Sequence, residues 1–163
     1  MIRIAKPSDH AGITGIAAEV YDDLGDYGNI LPSWFMHPGV EVYVDTDNEA
    51  VDNSRVRSFL LLGYFEPLSD KNKQLLVDLL AIAVVPDCQR RGMGRALLLE
   101  AIRIATKAAH GFAQADLRLT VSETNPVAQR LFSSEGFEIL DPHHGTYDRG
   151  QRAIRMTRRL QLA

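Results

Sequence analysis

The chain has 163 residues, 45% hydrophobic and 24% charged, with a formal net charge of -3 and a single cysteine. This length and balance fit one domain spanning 1–163 with a sizeable core, and exclude a disordered chain or a disulfide-stapled miniprotein. The net charge argues against a general nucleic-acid binder, and the longest apolar run, Leu75 to Val85, is interrupted by Asp78 and too short to cross a bilayer. With a lone cysteine and no visible signal peptide, a reducing cytoplasm is the expected compartment. Charge is unevenly spread. Residues 1–54 hold ten acidic and two basic residues, a net of -8, whereas residues 55–163 hold eleven acidic and sixteen basic, a net of +5. Either two ligands meet two sides of the domain, or the charges lie on solvated faces.

In chain order, Ile2 and Ile4 alternate with polar residues as a short strand. Ser8 or Asp9 can cap a helix that carries Ile13, Ile16, Ala17 and Val20 to about Leu24. A loop with a short helix over Leu31 to His37 follows. "VEVYVDTD" and "RVRSFLLLGYF" read as strands, joined by a turn over "DTDNEAVDNS". "EPLSDKNKQ" is a hairpin connection. "LLVDLLAIAVV" lacks clean alternation and is expected to be a strand buried on both faces. From Gly92 the period becomes helical as far as Gly111. "ADLRLTV" is a strand, "NPVAQRLFSSEG" a short helix with Pro126 in its first turn, "FEIL" a strand, and Ala153 to Leu160 the last strand. The order is that of a mixed α/β domain.

The stretch "VVPDCQRRGMGRALL", Val84 to Leu98, carries the strongest chemical signal. A helix N-terminus offers backbone N–H groups and a partial positive charge. Glycines at 92 and 94 let that backbone approach an anion closely, and Arg90, Arg91 and Arg95 add fixed charge. A triphosphate P-loop needs Lys-Ser/Thr after its last glycine, but Arg95-Ala96 follow here. A dinucleotide fingerprint needs a third glycine and an early position in the chain, and both are missing. A third option is the pyrophosphate of coenzyme A.

"QRRGMG" resembles the Gln/Arg-x-x-Gly-x-Gly/Ala signature of the GNAT superfamily of acyl-CoA-dependent N-acetyltransferases. "LLAIAVVPD" is similar to that family's central strand. "SETNPVAQRLFSSEGFE" resembles its N-x-x-A-x-x-L-[Tyr/Phe]-x-x-x-GF element, matched at Asn125, Ala128, Leu131, Phe132, Gly136 and Phe137. The element order matches over essentially the whole chain. The resemblance implies a mixed, mostly antiparallel central sheet flanked by helices and splayed at the central strand. It implies acetyl-CoA as co-substrate and a primary amine, small and cationic or on a peptide or protein, as acceptor. The acetyl group would pass by direct attack in a ternary complex.

Carried over by position, Ile82, Ala83 and Val84 would pair with the pantetheine arm. Gln89, Arg90, Arg91, Gly92, Met93, Gly94 and Arg95 would wrap the pyrophosphate, and Asn125 would hydrogen-bond the pantetheine. Asp78 stands where some relatives place a general-base glutamate. Being one methylene shorter, it suits a water relay better than direct abstraction, and it can equally be a structural acid. Phe132 stands where many relatives have a tyrosine that protonates the departing thiolate. Another group or water would then supply the proton, or the thiolate would leave unassisted; Tyr147 and Tyr27 are the candidate groups, or else rim residues. Cys88 has no histidine placed in sequence to activate it.

The first third interleaves Glu19, Asp22, Asp23 and Asp26 with Tyr21, Tyr27, Trp34 and Phe35, an acidic and aromatic wall suited to a cation. The five histidines show no metal-ligand spacing. The arginines from Arg149 to Arg159 mark either an anionic partner or the solvated face of an edge strand. Dimers are common among small enzymes of this kind, but no interface is specified. A non-catalytic acyl-CoA sensor on the same fold is the alternative function, with Phe132 in its favour.

Overall fold

The computed structural model describes residues 1–47, 55–65 and 74–162. Of the turn expected over 45–54 and the connection expected over 66–74, residues 48–54 and 66–73 lie outside the described residues. In chain order the elements are β1 (Ile2–Ile4), α1 (His10–Val20), α2 (Tyr27–Ile30), α3 (Pro32–Phe35), β2 (Val40–Thr46), β3 (Val56–Gly63), β4 (Gln74–Val84), α4 (Met93–Ala108), β5 (Gln114–Ser122), α5 (Pro126–Ser134), β6 (Glu138–Asp141) and β7 (Ala153–Arg159). Among the described residues the strands form one seven-stranded sheet in the order β1-β2-β3-β4-β5-β7-β6. Every pairing is antiparallel except β4 with β5. This is the mixed, mostly antiparallel sheet flanked by helices that was expected.

Two apolar clusters cover opposite faces of the sheet. One joins α4 and α5 to β3, β4, β5 and β7 through Leu60, Leu62, Leu97, Leu98, Leu117, Phe132 and Met156. The other joins α1 and the segment after it to β2, β3 and β4 through Ile13, Ile16, Leu31, Val44, Phe59 and Leu61. β3 belongs to both clusters and is the strand buried on both faces. β4 is not, contrary to expectation: its residues alternate between half-buried and buried. A bulge explains the muddled pattern. Leu62 pairs with Leu79 and Leu61 with Ala81, so Leu80 has no residue opposite. Leu75, Val77 and Leu79 therefore point to the α4 cluster, whereas Ala81 and Ala83 point to the α1 cluster. One extra residue changes which face a given parity serves.

Three other expectations are corrected. α1 stops at Val20, and Tyr21 to Leu24 form a turn. The short helix expected over Leu31 to His37 is the shorter α3, and a second short helix, α2, stands before it in the stretch read as loop. β7 is not an edge strand, because β6 lies outside it.

Asp9 precedes α1 but does not cap it through its side chain. Its Oδ2 accepts from the Lys6 backbone N–H at 2.7 Å and from Arg3 Nη1 at 2.7 Å. These bonds tie the strand β1 to the start of α1. The hydrogen bond from Arg3 holds the Asp9 carboxyl below its ordinary value, against burial, which raises it. A depressed folded-state value means that the stabilisation is present above the unfolded value, roughly 3.9, and is lost as pH falls through the folded one. Urea unfolding from pH 7 into acid should therefore show a steep loss of stability below about pH 4, and Asp9→Asn should flatten that loss.

Candidate active site

The β4–β5 ladder runs in register from Gln74↔Gln114 to Leu79↔Leu119 and stops there. β4 continues to Val84, while β5, paired along its other edge with β7 from Asp116↔Arg159, keeps that ladder as far as Ser122↔Ala153. The two strands part as the sequence resemblance implied. Beside the gap lies a cavity of about 340 Å³. Its walls are Leu79 to Ile82 of β4, Leu119 to Ser122 of β5, Thr124, Asn125, Ala128 and Phe132 at and before α5, Val20 at the end of α1 with Tyr21, Asp23, Leu24 and Tyr27 beyond it, and Tyr147.

Backbone groups on the free edge of β4 are met by side chains. The Gln89 amide donates to the Val84 carbonyl at 2.9 Å. The Tyr21 hydroxyl donates to the Ile82 carbonyl at 2.7 Å, and the Ile82 N–H donates to the same hydroxyl at 3.1 Å. Ile82 is half-buried, whereas Ala83 and Val84 are buried.

Past β4 the chain makes a short 3-10 turn, Pro86–Cys88, and reaches the N-terminus of α4. Gly92 is the N-cap with φ +81°, a left-handed conformation that disfavours any side chain, and Arg90 shares that region with φ +62°. A Cβ at Gly92 would meet no protein atom, and one at Gly94 would meet Leu131 Cδ2 at an ordinary 3.7 Å. Packing within the protein thus does not require either glycine, and the backbone here is open to an approaching ligand. Arg90 and Arg91 are exposed, and Met93 packs partly on the α4 cluster. Arg95 is otherwise engaged: its guanidinium pairs with Glu135 and reaches Ser134 Oγ at 3.1 Å. Cys88 is buried, and burial pushes its thiol above its ordinary value.

Asn125 caps α5, its Oδ1 accepting from Ala128 N–H at 3.1 Å, so its NH2 end is the part suited to a ligand. Phe132 is 5% exposed and packs against Phe137, with ring centroids 5.9 Å apart. Tyr147 is half-buried in the cavity wall, and burial raises its hydroxyl well above the usual tyrosine range. Tyr21 and Tyr27 stand beside it, their own rings 5.0 Å apart.

The loop between β6 and β7 closes this wall. Gln151 Nε2 donates to the Asp23 carbonyl at 2.5 Å, and Arg149 N–H donates to the Leu24 carbonyl at 3.2 Å. Of the expected acidic and aromatic wall, Asp23, Tyr21 and Tyr27 line the cavity. Trp34 packs instead with His37 and Phe65, Phe35 stacks on His10, and Glu19 borders a separate groove.

Asp78 sits one residue before the cavity's first β4 lining residue, opposite Arg118. Its carboxylate takes Arg118 Nε at 3.1 Å and Arg155 Nη2 at 3.0 Å. Other arginines of the last segment are also bound: Arg159 pairs with Asp116 at 2.6 Å, and Arg158 donates to the Glu135 carbonyl at 2.8 Å. This ion-pair system accounts for the terminal arginines better than a solvated edge strand does. Among the described residues no group of His, Cys, Asp and Glu is placed to hold a metal ion, and no helix is long and apolar enough to cross a membrane.

A parted parallel strand pair beside an open glycine-rich helix N-terminus is the frame that the sequence resemblance implied for an acyltransferase. The family model for the acetyltransferase (GNAT) domain matches residues 39–139, and the chain belongs to that family of acyltransferase enzymes. Solved structures agree on the fold. NAA60 of Arabidopsis thaliana, in complex with a bisubstrate analogue, superimposes with a TM-score of 0.79 at 16% identity, covering 99% of each chain. The same protein in complex with acetyl-CoA gives 0.78 at 16% identity, covering 98% of each. The ribosomal-protein-S18-alanine N-acetyltransferase of Escherichia coli gives 0.72 at 22% identity, covering 100% of this chain and 95% of its own. Comparison with curated protein sequences gives no match.

Sequence reasoning missed the part played by Tyr21, placed in the wall but not on the strand. A tyrosine just past a helix that faces the splayed strand was the available signal. Asp78→Asn would leave Arg118 and Arg155 facing a neutral amide, and should lower the unfolding free energy by about 2 kcal/mol, read by urea denaturation at neutral pH.

Proposed function

We propose that the protein transfers an acetyl group from acetyl-CoA to a primary amine by direct attack within a ternary complex. The observation that carries this is the course of β4: its free edge borders the cavity as far as Ile82 and then leads through Val84 and one 3-10 turn to the open backbone at Gly92 and Gly94. The residues present suit acetyl-CoA. Gln89 to Gly94 offer backbone N–H groups and the exposed Arg90 and Arg91 to a pyrophosphate. Arg95 would contribute its backbone, since its guanidinium is held by Glu135. Ile82, Ala83 and Val84 would supply the rail for the pantetheine, and the Asn125 amide would donate to it.

The amine nitrogen attacks the thioester carbonyl carbon. A C–N bond forms, the C–S bond breaks, the amine gives up a proton and the leaving thiolate takes one. Phe132 has no proton to give. Tyr147, whose burial keeps it protonated at neutral pH, is the proposed donor to the sulfur. For Asp78 the two guanidiniums support a positioning part, holding Arg118 and Arg155 beneath the cavity, over direct proton abstraction.

Asp23 inside the cavity and Asp22 and Asp26 exposed beside it favour a cationic acceptor, a small amine or a peptide or protein amine. One domain carries donor and acceptor sites, and no partner subunit is required by this reading.

Calorimetric titration with coenzyme A should show binding to the wild type and a loss of at least about tenfold, roughly 1.4 kcal/mol, in Gly92→Glu. Equal binding by both proteins would sink the cradle assignment. Thiol release from acetyl-CoA, followed across a panel of amines, should rise with cationic acceptors. A response confined to neutral or anionic acceptors would overturn the acceptor class, and coenzyme A binding without release by any amine would indicate a sensor.

A further inference from the structure

The cavity beside the parted strands is electrically lopsided. Beneath it, Asp78 is held by Arg118 and Arg155, one carboxylate by two guanidiniums. Above it, where the 21–26 turn meets the β6–β7 loop, stand Asp22, Asp23, Asp26 and Asp148. Among the described residues the cation that pairs with this roof is Arg149, 3.9 Å from Asp22. Asn29 donates to Asp26 at 2.7 Å but leaves its charge in place. The carboxylates of Asp23 and Asp148 meet no hydrogen-bond donor and no cation among the described residues.

Asp148 is set at the tip of its loop by backbone bonds. Tyr147 N–H donates to the Gln151 carbonyl at 2.8 Å, and Gly150 N–H donates to the Tyr147 carbonyl at 2.9 Å. The Asp148 Oδ2 lies 3.3 Å from the place that a Cβ on Gly25 would take, and Tyr27 Cε2 lies 3.6 Å from that same place. The carboxylate therefore stands beside the Tyr27 ring, which lines the cavity together with Asp23. Burial first, and then the charge of Asp148, raise the Tyr27 hydroxyl above its ordinary value.

These two ends ask opposite things of an amine. A carboxylate beside a nitrogen favours its protonated form, and a protonated nitrogen has no lone pair with which to attack. The unneutralised roof is thus wrong for the reacting nitrogen and right for one that stays charged, with an aromatic face beside it. The excess positive charge of the floor does the reverse and favours a neutral nitrogen. Between the two ends the walls are apolar, with Leu24, Leu79, Leu80 and Leu119. The volume of about 340 Å³ must also hold the thioester end of the donor. The roof is shut by bonds to the Asp23 and Leu24 carbonyls, so a slender chain fits and a protein surface does not.

We propose that the acceptor is a small aliphatic diamine. One amino group, neutral, attacks the thioester above the Asp78, Arg118 and Arg155 floor. The other stays an ammonium and sits under the roof, against Tyr27 and the carboxylates of Asp148 and Asp23. This rests on acetyl transfer from acetyl-CoA to an amine. The bonds are those of that reaction: C–N forms, C–S breaks, one proton leaves the reacting nitrogen and one reaches the sulfur. The second nitrogen exchanges nothing. Once acetylated, the product has a single amino group left, and no second charge to hold it if that group is presented in turn. Transfer therefore stops after one acetyl group.

The test follows thiol release from acetyl-CoA with acceptors of matched length: 1,4-diaminobutane, pentylamine, 4-aminobutanol and 4-aminobutanoate, beside a peptide with a free N-terminus. The diamine should exceed pentylamine and 4-aminobutanol by at least about tenfold in kcat/KM, most of it in KM. Mass spectrometry should find it acetylated once. Added salt should raise KM for the diamine more than for pentylamine, a readout that needs no variant. Asp148→Asn should cut the preference for the diamine, and Asp148→Lys should shift it toward 4-aminobutanoate. Equal kcat/KM for the diamine and pentylamine, double acetylation as fast as single, or release confined to the peptide would overturn the proposal and leave acetyl transfer standing. A preference untouched by either substitution would overturn the placing of the second charge. No thiol release with any of these acceptors, despite acetyl-CoA binding, would defeat the transfer reading and the diamine with it.

Discussion

Hydrogen-bond partners for the free edge of β4 are the constraint on which the site depends. A strand inside a sheet normally satisfies its N–H and carbonyl groups on both sides. β4 does so only as far as Leu79, where the parallel ladder with β5 ends. Beyond that point one edge faces a cavity, and each exposed group needs a partner from outside the ladder. Tyr21 meets the need at Ile82 and Gln89 meets it at Val84. Both are side chains that can turn away when a ligand with amide and carbonyl groups arrives, so the strand is satisfied before binding and stays receptive to it.

The bulge at Leu80 makes this arrangement compatible with a packed core. Below it, β4 sends Leu75, Val77 and Leu79 into the cluster under α4. Above it, Ala81 and Ala83 face the α1 cluster, and their small side chains fit between the strand and α1. Asp78 lies on the opposite face from Val77 and Leu79, where Arg118 and Arg155 neutralise it. The charged residue that interrupts the apolar run thus belongs to an ion-pair system between neighbouring strands. The donor end follows directly from the same strand: it leads through one 3-10 turn to the Gly92 cap and the first turn of α4.

The elements that sequence makes plain are those specified by local chemistry. Gly92 needs a left-handed conformation, Pro126 suits a first helical turn, and Asn125 is a cap whose bond can be anticipated from residue type. The family motifs add the parting of β4 from β5. Features fixed by non-local pairing were not legible. The Leu80 bulge looks like uniform hydrophobicity, because "LLVDLLAIAVV" has Asp78 ahead of the bulge but no polar residue past it to mark the change of face. The interior position of β7 depends on β6 folding outside it, so its arginines resembled edge-strand charges. The hydrogen bonds of Tyr21 span 61 residues, beyond any local pattern.

The joint between the 21–26 turn and the β6–β7 loop has a further consequence. Two of its bonds end on main-chain carbonyls, those of Asp23 and Leu24, and one of the donors is itself a backbone N–H. The side chains of Asp22, Asp23, Asp26 and Asp148 are exposed, and across the joint Asp22 adds a long, solvent-exposed ion pair with Arg149 at 3.9 Å, of a kind that contributes little. Descendants of this chain could exchange them freely, altering which molecules are welcomed while the seam stays shut and the glycine loop stays untouched. On the proposed reading, such a design would let selection explore new acceptors at one wall without disturbing the donor loop at the other.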